Sequence, residues 1–310
     1  MIIGGIDIIA LIASLMIAST PILLAALGEA VAEKSGVLNL GVEGMMIMGA
    51  IGGFAGAVAT GSPVLGFLLG AVSGAGMALI FAFMTQVVLA NQVASGLALT
   101  LFGLGLSALI GQKFQGIKPP ATPKIDFGPL ADLPIVGPIL FHHDWVVYLS
   151  LILTVAVWAF LKYSRAGLIL RAVGESHTAA HALGYRVVAV RVAALTFGGA
   201  LAGLGGAYLS LVRVPQWTEG MTAGAGWIAL AIVVFASWRA ERVLLGAYLF
   251  GGVTVLQLRL QAAGFAIPVQ LLSMAPYVIT IIVLVVISAL QKRGSSAAPA
   301  DLGRNFHASR

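Results

Sequence analysis

Residues 162–191 read KYSRAGLILRAVGESHTAAHALGYRVVAVR, the one long cationic interval in a chain that otherwise alternates apolar spans with brief turns. Lys162, Arg165, Arg171, Arg186 and Arg191 stand there against a single acid, Glu175. An excess of Lys and Arg beside apolar spans marks a loop on the cytoplasmic side of a membrane. Within the interval, Glu175 to Gly184 is expected to form a short helix. A glutamate near its N-terminus suits the helix dipole, Ala179, Ala180 and Ala182 are strong helix formers, and Gly184 is a fitting stop. A short helix of small residues on that face is a docking element, read here as the meeting point with a separate motor protein.

Composition sets the frame around this loop. Of 310 residues, 60% are hydrophobic and 9% charged, against about 25% charged in soluble domains. Apolar runs of about 17 to 25 residues predict membrane helices, whereas barrels show alternating segments of roughly ten. The fold class expected is therefore an all-α integral membrane bundle of about nine transmembrane helices, some of them short or re-entrant. The chain has no cysteine, hence no disulfide framework. The start, Met1 to Asp7, lacks a basic region and runs straight into the first span, so no cleavable signal is expected. A net charge of +6 with pI near 9.8 would suggest nucleic acid in a soluble protein; here it is an orientation signal, and no nucleic acid partner is expected.

The spans are placed at about Ile8 to Leu27, Met45 to Thr60, Val64 to Leu89, Val93 to Ile110, Trp145 to Leu161, Val192 to Val212, Ala225 to Ser237, Val243 to Ala262 and Val269 to Leu290. Pro21 predicts a kink in the first, and Gly28 to Gly44 is a polar interruption that either dips into the bilayer, shielded by protein or lining a wet cavity, or is an ordinary interfacial turn. Gly66, Gly70 and Gly74, at four-residue spacing, form a small-residue stripe that lets helix backbones approach, and Gly198, Ala202 and Gly206 repeat it. Residues 1–290 are read as one permease domain. Within it, 112–144 form a Pro-rich extracytoplasmic loop and 162–191 the cytoplasmic coupling loop. Residues 291–310, rich in Ser, Ala and Pro, are expected to be a disordered cytoplasmic tail.

Charge counting fixes the orientation. With the N-terminus outside and the C-terminus inside, only Lys113, Lys118, Lys124, Arg213 and Arg259 of the 17 Lys and Arg residues lie outside. They share that side with five acids, Asp7, Asp126, Asp132, Asp144 and Glu219, leaving the inside strongly positive. Inverting the chain would break the positive-inside rule.

The chemistry present is sparse. There is no G-x-x-x-x-G-K-[ST] sequence, so no phosphate-binding loop, and without cysteine no thiolate metal site. His177 and His181 share the spacing of two ligands on a helix face, but no third ligand adjoins them, and the reading adopted for them, as for His142 and His143, is a surface pair rather than a metal site. Glu43, Asn91, Gln92, Gln257, Arg259 and Gln261 interrupt apolar sequence and should face the bundle interior, a wet path or the interface. Asn39, Glu43, Asn91 and Gln92 are taken as the solute path, and an interhelical hydrogen bond is an equal alternative for each. Mid-span acids and histidines fit for a proton relay are almost lacking, which argues against a proton-driven carrier.

Several segments together bring a family to the fore. They are GEAVAEKSGVLNLGVEGMM from Gly28, ANQVASGLALT from Ala90, SRAGL from Ser164, AVGES from Ala172, ALGY from Ala182 and GGALAGLGGAY from Gly198. Together they resemble the permease subunits of bacterial ABC importers for simple sugars, nucleosides and branched-chain amino acids, most closely the nucleoside branch linked to basic membrane lipoproteins. The resemblance implies a multi-pass subunit of the bacterial inner membrane, surrounded by lipid, paired with a second permease subunit that is often a different chain. It further implies two cytoplasmic ATPase subunits that carry the ATP and Mg, and an extracytoplasmic binding lipoprotein; no cofactor is expected on this chain. The family's coupling helix falls on Glu175, Ser176, Ala179, Ala180, Leu183 and Gly184. A stand-alone carrier or channel is the rival of another class.

Overall fold

Helix α1 runs over Ile8–Lys34, well past the predicted end at Leu27, because the polar residues that follow are buried by protein rather than left to lipid. The computed structural model describes residues 2–3, 6–262 and 298–307, with only scattered positions between 263 and 297. Among the described residues, α1 is followed by α2 (Val42–Thr60), α3 (Pro63–Ala82), α4 (Gln92–Gly111), α5 (Trp145–Tyr163), α6 (Arg165–Glu175), α7 (His177–Ala182), α8 (Val187–Tyr208) and α9 (Ala225–Phe235). A tenth, α10, spans Ala240–Ala262.

Seven helices among the described residues are long and apolar enough to cross a membrane: α1, α2, α3 with its π-helical continuation to Val87, α4 continued to Phe114, α5, α8 continued to Arg213, and α10. Helix α9, with 11 residues, is shorter than a span. The ninth predicted span, Val269 to Leu290, lies outside the continuously described residues.

Local chemistry explains where the helices start. Pro63 takes the first turn of α3, where a missing N–H costs nothing, behind the Ser62 cap. Asn91 caps α4 by accepting from the Ala94 N–H at 3.0 Å. Asp144 caps α5 through the Val146 and Val147 N–H groups and also accepts from the buried Tyr208 hydroxyl at 2.8 Å, tying α5 to the end of α8. Within α1, the Thr20 hydroxyl bonds back to the Met16 carbonyl one turn earlier, so this buried polar group is satisfied by its own helix.

The centre of the bundle is a four-helix junction. Helix α8 threads between α1, α2 and α3 on small residues. A Cβ on Gly198 would meet the Gly28 carbonyl oxygen at 2.9 Å, and one on Gly206 would overlap the Met46 carbonyl oxygen of α2. On the other side, Gly70 and Gly74 of α3 abut Ala207 and Gly203 of α8, while Gly66 abuts Ala57 and the Gly53 carbonyl of α2. Ala202 is buried in the same core. In lipid, where apolar side chains gain little by leaving the solvent, backbone approach of this kind is what holds helices together.

Candidate functional site

The coupling loop folds as two helices rather than one. The sequence predicts a single helix from Glu175 to Gly184, but Glu175 ends α6, and Ser176, with φ −155° and ψ 97°, breaks the chain and caps α7 through the Ala179 N–H. Serine competes for backbone partners inside a helix and is favoured at its start. Gly184 stops the segment with φ +88°. On α7, Thr178, Ala179, His181 and Ala182 are exposed, and Leu183 just beyond is 75% exposed. Ala180 and His177 face inward.

What they face is the C-terminal tail. The tail was expected to be disordered, yet residues 298–307 lie against the loop, because its few polar and aromatic side chains find buried partners. Asp301 Oδ2 accepts the His177 backbone N–H at 2.8 Å and sits 2.7 Å from His177 Nδ1. Phe306 packs edge-on against the rings of His177 and His181, within a cluster that includes Val173, Ala180 and Val187. The Asp301 N–H donates to the Gly174 carbonyl and the Gly303 N–H to the Gly36 carbonyl. Burial pushes the His177 imidazole below its ordinary value; Asp301 opposes the shift, while Arg191, Arg304 and His307 add to it. The expected surface pair is thus split, with His177 buried and His181 exposed. Among the described residues no cluster of three His, Asp or Glu side chains is placed to hold a metal ion.

Arg191 is the hub of this assembly. Its side chain is fully buried at 0% exposure. The guanidinium donates to the Ser35 carbonyl at 3.2 Å and to the Arg304 carbonyl at 3.0 Å, so it joins α8, the α1–α2 turn and the tail. Sequence reading treated Arg191 as one more loop cation. Its position at the start of an apolar helix is the only signal that could have singled it out.

The four residues read as the solute path are not gathered in one place. Asn39 is buried in the α1–α2 turn, where its Nδ2 donates to Glu29 Oε2 at 2.9 Å and its Oδ1 accepts from the Gly41 N–H. Gln92 is buried between the Leu38 N–H, which it accepts, and Asn305 of the tail, to which it donates at 3.1 Å. Asn91 is an exposed helix cap. Glu43 is buried and accepts three bonds at the start of α9: from the Thr222 hydroxyl at 2.6 Å, the Gly224 N–H at 2.9 Å and the Gly226 N–H at 2.7 Å. A carboxylate on the N-terminus of a helix is favoured by the dipole and by the unpaired N–H groups there, so Glu43 fastens α9 to α2. Of the possibilities left open for the Gly28 to Gly44 interruption, shielding by protein is the one observed, with Glu29 and Glu33 buried within α1.

A cavity of about 320 Å³ lies between α1, the end of α8, α9 and α10. Its polar wall carries Arg213, Thr222, Thr254 and Gln257, and Phe250 supplies an aromatic face. Small-molecule sites run from about 300 Å³ upward and combine an apolar lining with a few convergent polar groups, so this one suits a solute of sugar or nucleoside size. Of its polar residues, sequence reading singled out only Gln257.

Comparison with known proteins follows the same line. Residues 11–288 match the family described as branched-chain amino acid transport system / permease component. The chain is 44% identical over 254 residues to the "Putative glucose ABC transporter permease protein" of Haloferax volcanii, covering 81% of this chain and 77% of that one. It is 32% identical over 309 residues to the nucleoside ABC transporter permease protein of Lactococcus lactis subsp. cremoris, covering 96% of each, and 32% identical over 286 residues to the guanosine ABC transporter permease protein of Bacillus subtilis, covering 87% and 89%. No solved structure matches the chain. The chain is a multi-pass membrane protein and belongs to this family of ABC transporter permeases.

Proposed function

We propose that the chain is the membrane-spanning permease of an ATP-binding cassette importer in the cytoplasmic membrane, carrying a nucleoside. One observation carries this reading: the match to a nucleoside permease runs over 96% of both chains, so the similarity extends over almost the whole length. A simple sugar is the second reading, favoured by the 44% identity to the glucose-type relative. Both solutes carry a polyhydroxylated ring, and the cavity beside Arg213, Thr222, Thr254 and Gln257 offers hydrogen-bonding groups on one wall and the Phe250 ring on another.

In this reading the N-terminus is outside, the loop of residues 162–191 is cytoplasmic, and a second permease subunit and an extracytoplasmic binding lipoprotein complete the complex. ATP and Mg sit on a partner ATPase, which engages the exposed face of α7 around Leu183 and Ala179. Nucleotide-driven closure of the ATPase pair displaces α7, and the glycine-packed helices move as rigid bodies to open the path alternately to each side. The test is uptake by vesicles containing this chain with its genomic neighbours, using radiolabelled guanosine, adenosine and glucose. Uptake of a nucleoside that requires ATP supports the reading. Uptake by this chain alone, without nucleotide, refutes it in favour of a carrier or channel.

A further inference from the structure

A second cavity, of about 470 Å³, opens where the loop-side ends of α1, α5 and α6 meet the turn into α10. Four cations line it, Lys34, Lys162, Arg171 and Arg239, against a single acid in its wall, Glu241; Glu175 is the other acid whose charge reaches Lys34. Two further observations point to a ligand. Arg171 Nε and Ser237 Oγ are buried with no hydrogen-bond partner among the described residues, and both residues line this cavity. Buried donors are nearly always satisfied, so two orphans in one cavity call for an acceptor from outside. Ser237 and Trp238 also hold left-handed φ values of 54° and 55°, an arrangement that costs non-glycine residues energy and recurs at ligand sites.

We propose that this cavity binds the phosphate of an anionic phospholipid in the leaflet facing the coupling loop. Charge complementarity indicates an anion, and the aromatic residues place it at the level of the headgroups. Lys162 Nζ lies 5.0 Å from the Trp158 ring and 5.2 Å from the Tyr163 ring, and Lys34 Nζ lies 5.9 Å from the Trp238 ring. Tryptophan and tyrosine at helix ends, with lysines reaching outward beside them, mark the membrane interface, and basic pockets between helix ends on this side hold lipid headgroups. The Arg171 Nε–H and Ser237 O–H donate to phosphate oxygens, and Arg239 and Lys162 on the rim contribute charge. The orientation rests on the importer reading, but the binding does not depend on transport.

The full-length chain in neutral detergent provides the test, with bound lipid read by native mass spectrometry and thermal shift on adding phosphatidylglycerol, phosphatidylcholine or inorganic phosphate. Phosphatidylglycerol is retained over phosphatidylcholine, and Arg239→Gln and Lys162→Gln each weaken it about fivefold, the equivalent of about 1 kcal/mol for one basic residue near an anionic surface. Both side chains are exposed, so these variants keep the fold where Arg171→Gln risks losing it. A thermal shift with inorganic phosphate alone, abolished by Arg239→Gln, supports the site with a free anion as its source. Equal retention of the two lipids, unchanged in both variants and without a phosphate effect, overturns the proposal. So does a variant that keeps its phosphatidylglycerol and loses a co-purifying ATPase, which makes the cavity a protein-docking surface. Lipid binding as expected in a parent chain that shows no ATP-driven uptake with its genomic neighbours would instead count against the importer reading and leave the site standing.

Discussion

Replacing Glu43 by glutamine separates a structural carboxylate from a solute contact. The side chain accepts from Thr222, Gly224 and Gly226 at 2.6, 2.9 and 2.7 Å. Both oxygens are used, one by Thr222 and Gly224 and the other by Gly226. A glutamine keeps the shape, but its amide –NH2 must face a donor whichever way it is turned. At least one N–H at the start of α9 is then left buried and unpaired, which costs about 1–3 kcal/mol, and loss of the charge at the helix N-terminus adds about 0.3–1 kcal/mol. The sum is roughly 1–4 kcal/mol, or roughly 3–16 °C in Tm at about 2–4 °C per kcal/mol. Glu29→Gln is the control: Glu29 Oε2 accepts only from Asn39 and Oε1 is unpartnered, so an amide keeps that bond and the expected change is near zero. Thermal unfolding in detergent, followed by tryptophan fluorescence, measures both. A Tm for Glu43→Gln within about 1 °C of the parent, together with lost uptake, refutes the fastening role and returns Glu43 to the solute path.

Other outcomes follow from the same geometry. Gly203→Val should destabilise by at least the roughly 1–3 kcal/mol typical of overpacking, since a Cβ there meets Gly74 Cα at 3.0 Å and overlaps the Gly70 carbonyl. Gly76→Ala, where nothing lies within 4 Å, should be neutral or stabilise by up to about 1 kcal/mol through helix propensity; thermal melts of both check the contrast. Leu183→Asp should uncouple ATP hydrolysis from uptake with an unchanged Tm, whereas Ala180→Asp, buried against Phe306, should lower the Tm, and ATPase assays with melts distinguish them. Because burial holds the His177 imidazole below its ordinary 6.5, the docked tail disfavours the proton. Docking is therefore at full strength above about pH 6.5 and weakens as the pH falls below it. Hydrogen exchange of residues 298–307 at pH 5.5 and 7.5 measures the difference.

The helices were legible in the sequence because hydropathy and positive-inside bias act over whole spans, and the glycine stripes because their spacing repeats the helical turn. The packing partners of those stripes were not, since Gly66-x-x-x-Gly70 says that a neighbour is close without saying that α8 and α2 are the neighbours. The polar residues failed for a different reason. Asn39, Glu43 and Gln92 are polar within apolar sequence because turns and helix starts buried in protein need internal partners, and that pattern is identical to one serving a solute. Arg213, Thr222 and Thr254 converge on the cavity from the end of one helix, a turn and the middle of α10, a meeting made by the tertiary fold alone. The tail looked disordered by composition because three side chains, Asp301, Asn305 and Phe306, and a few backbone groups suffice to hold it, too few to register in an average.

These contacts define how motion at α7 can reach the bundle. Helix α7 has six residues and follows the break at Ser176, so little within the loop itself transmits force. The links are lateral. Asp301 joins α7 to the tail, and Gly303 N–H joins the tail to the α1–α2 turn at the Gly36 carbonyl. Asn305 Nδ2 then reaches the Leu89 carbonyl at 2.6 Å, while its Oδ1 accepts from Gln92 at the start of α4. Arg191 ties the same turn to α8, holds the tail at the Arg304 carbonyl, and lies 3.5 Å from His177 Nδ1 of α7, a route that bypasses Asp301. In the importer reading, a displacement of α7 would act on α1, α4 and α8 together through these hydrogen bonds, which are short and directional and yield less than apolar contacts. Cutting one strand, with Asp301→Ala, should leave α8 linked through Arg191 and reduce coupling partially. Arg191→Met removes the buried hub of the second strand and strands two carbonyls, so it should reduce both coupling and Tm. The double variant should lose coupling by more than the sum, because each strand alone carries what the other drops, and a strictly additive loss in ATP-driven uptake would show that the tail is a passive cover and not a second linkage.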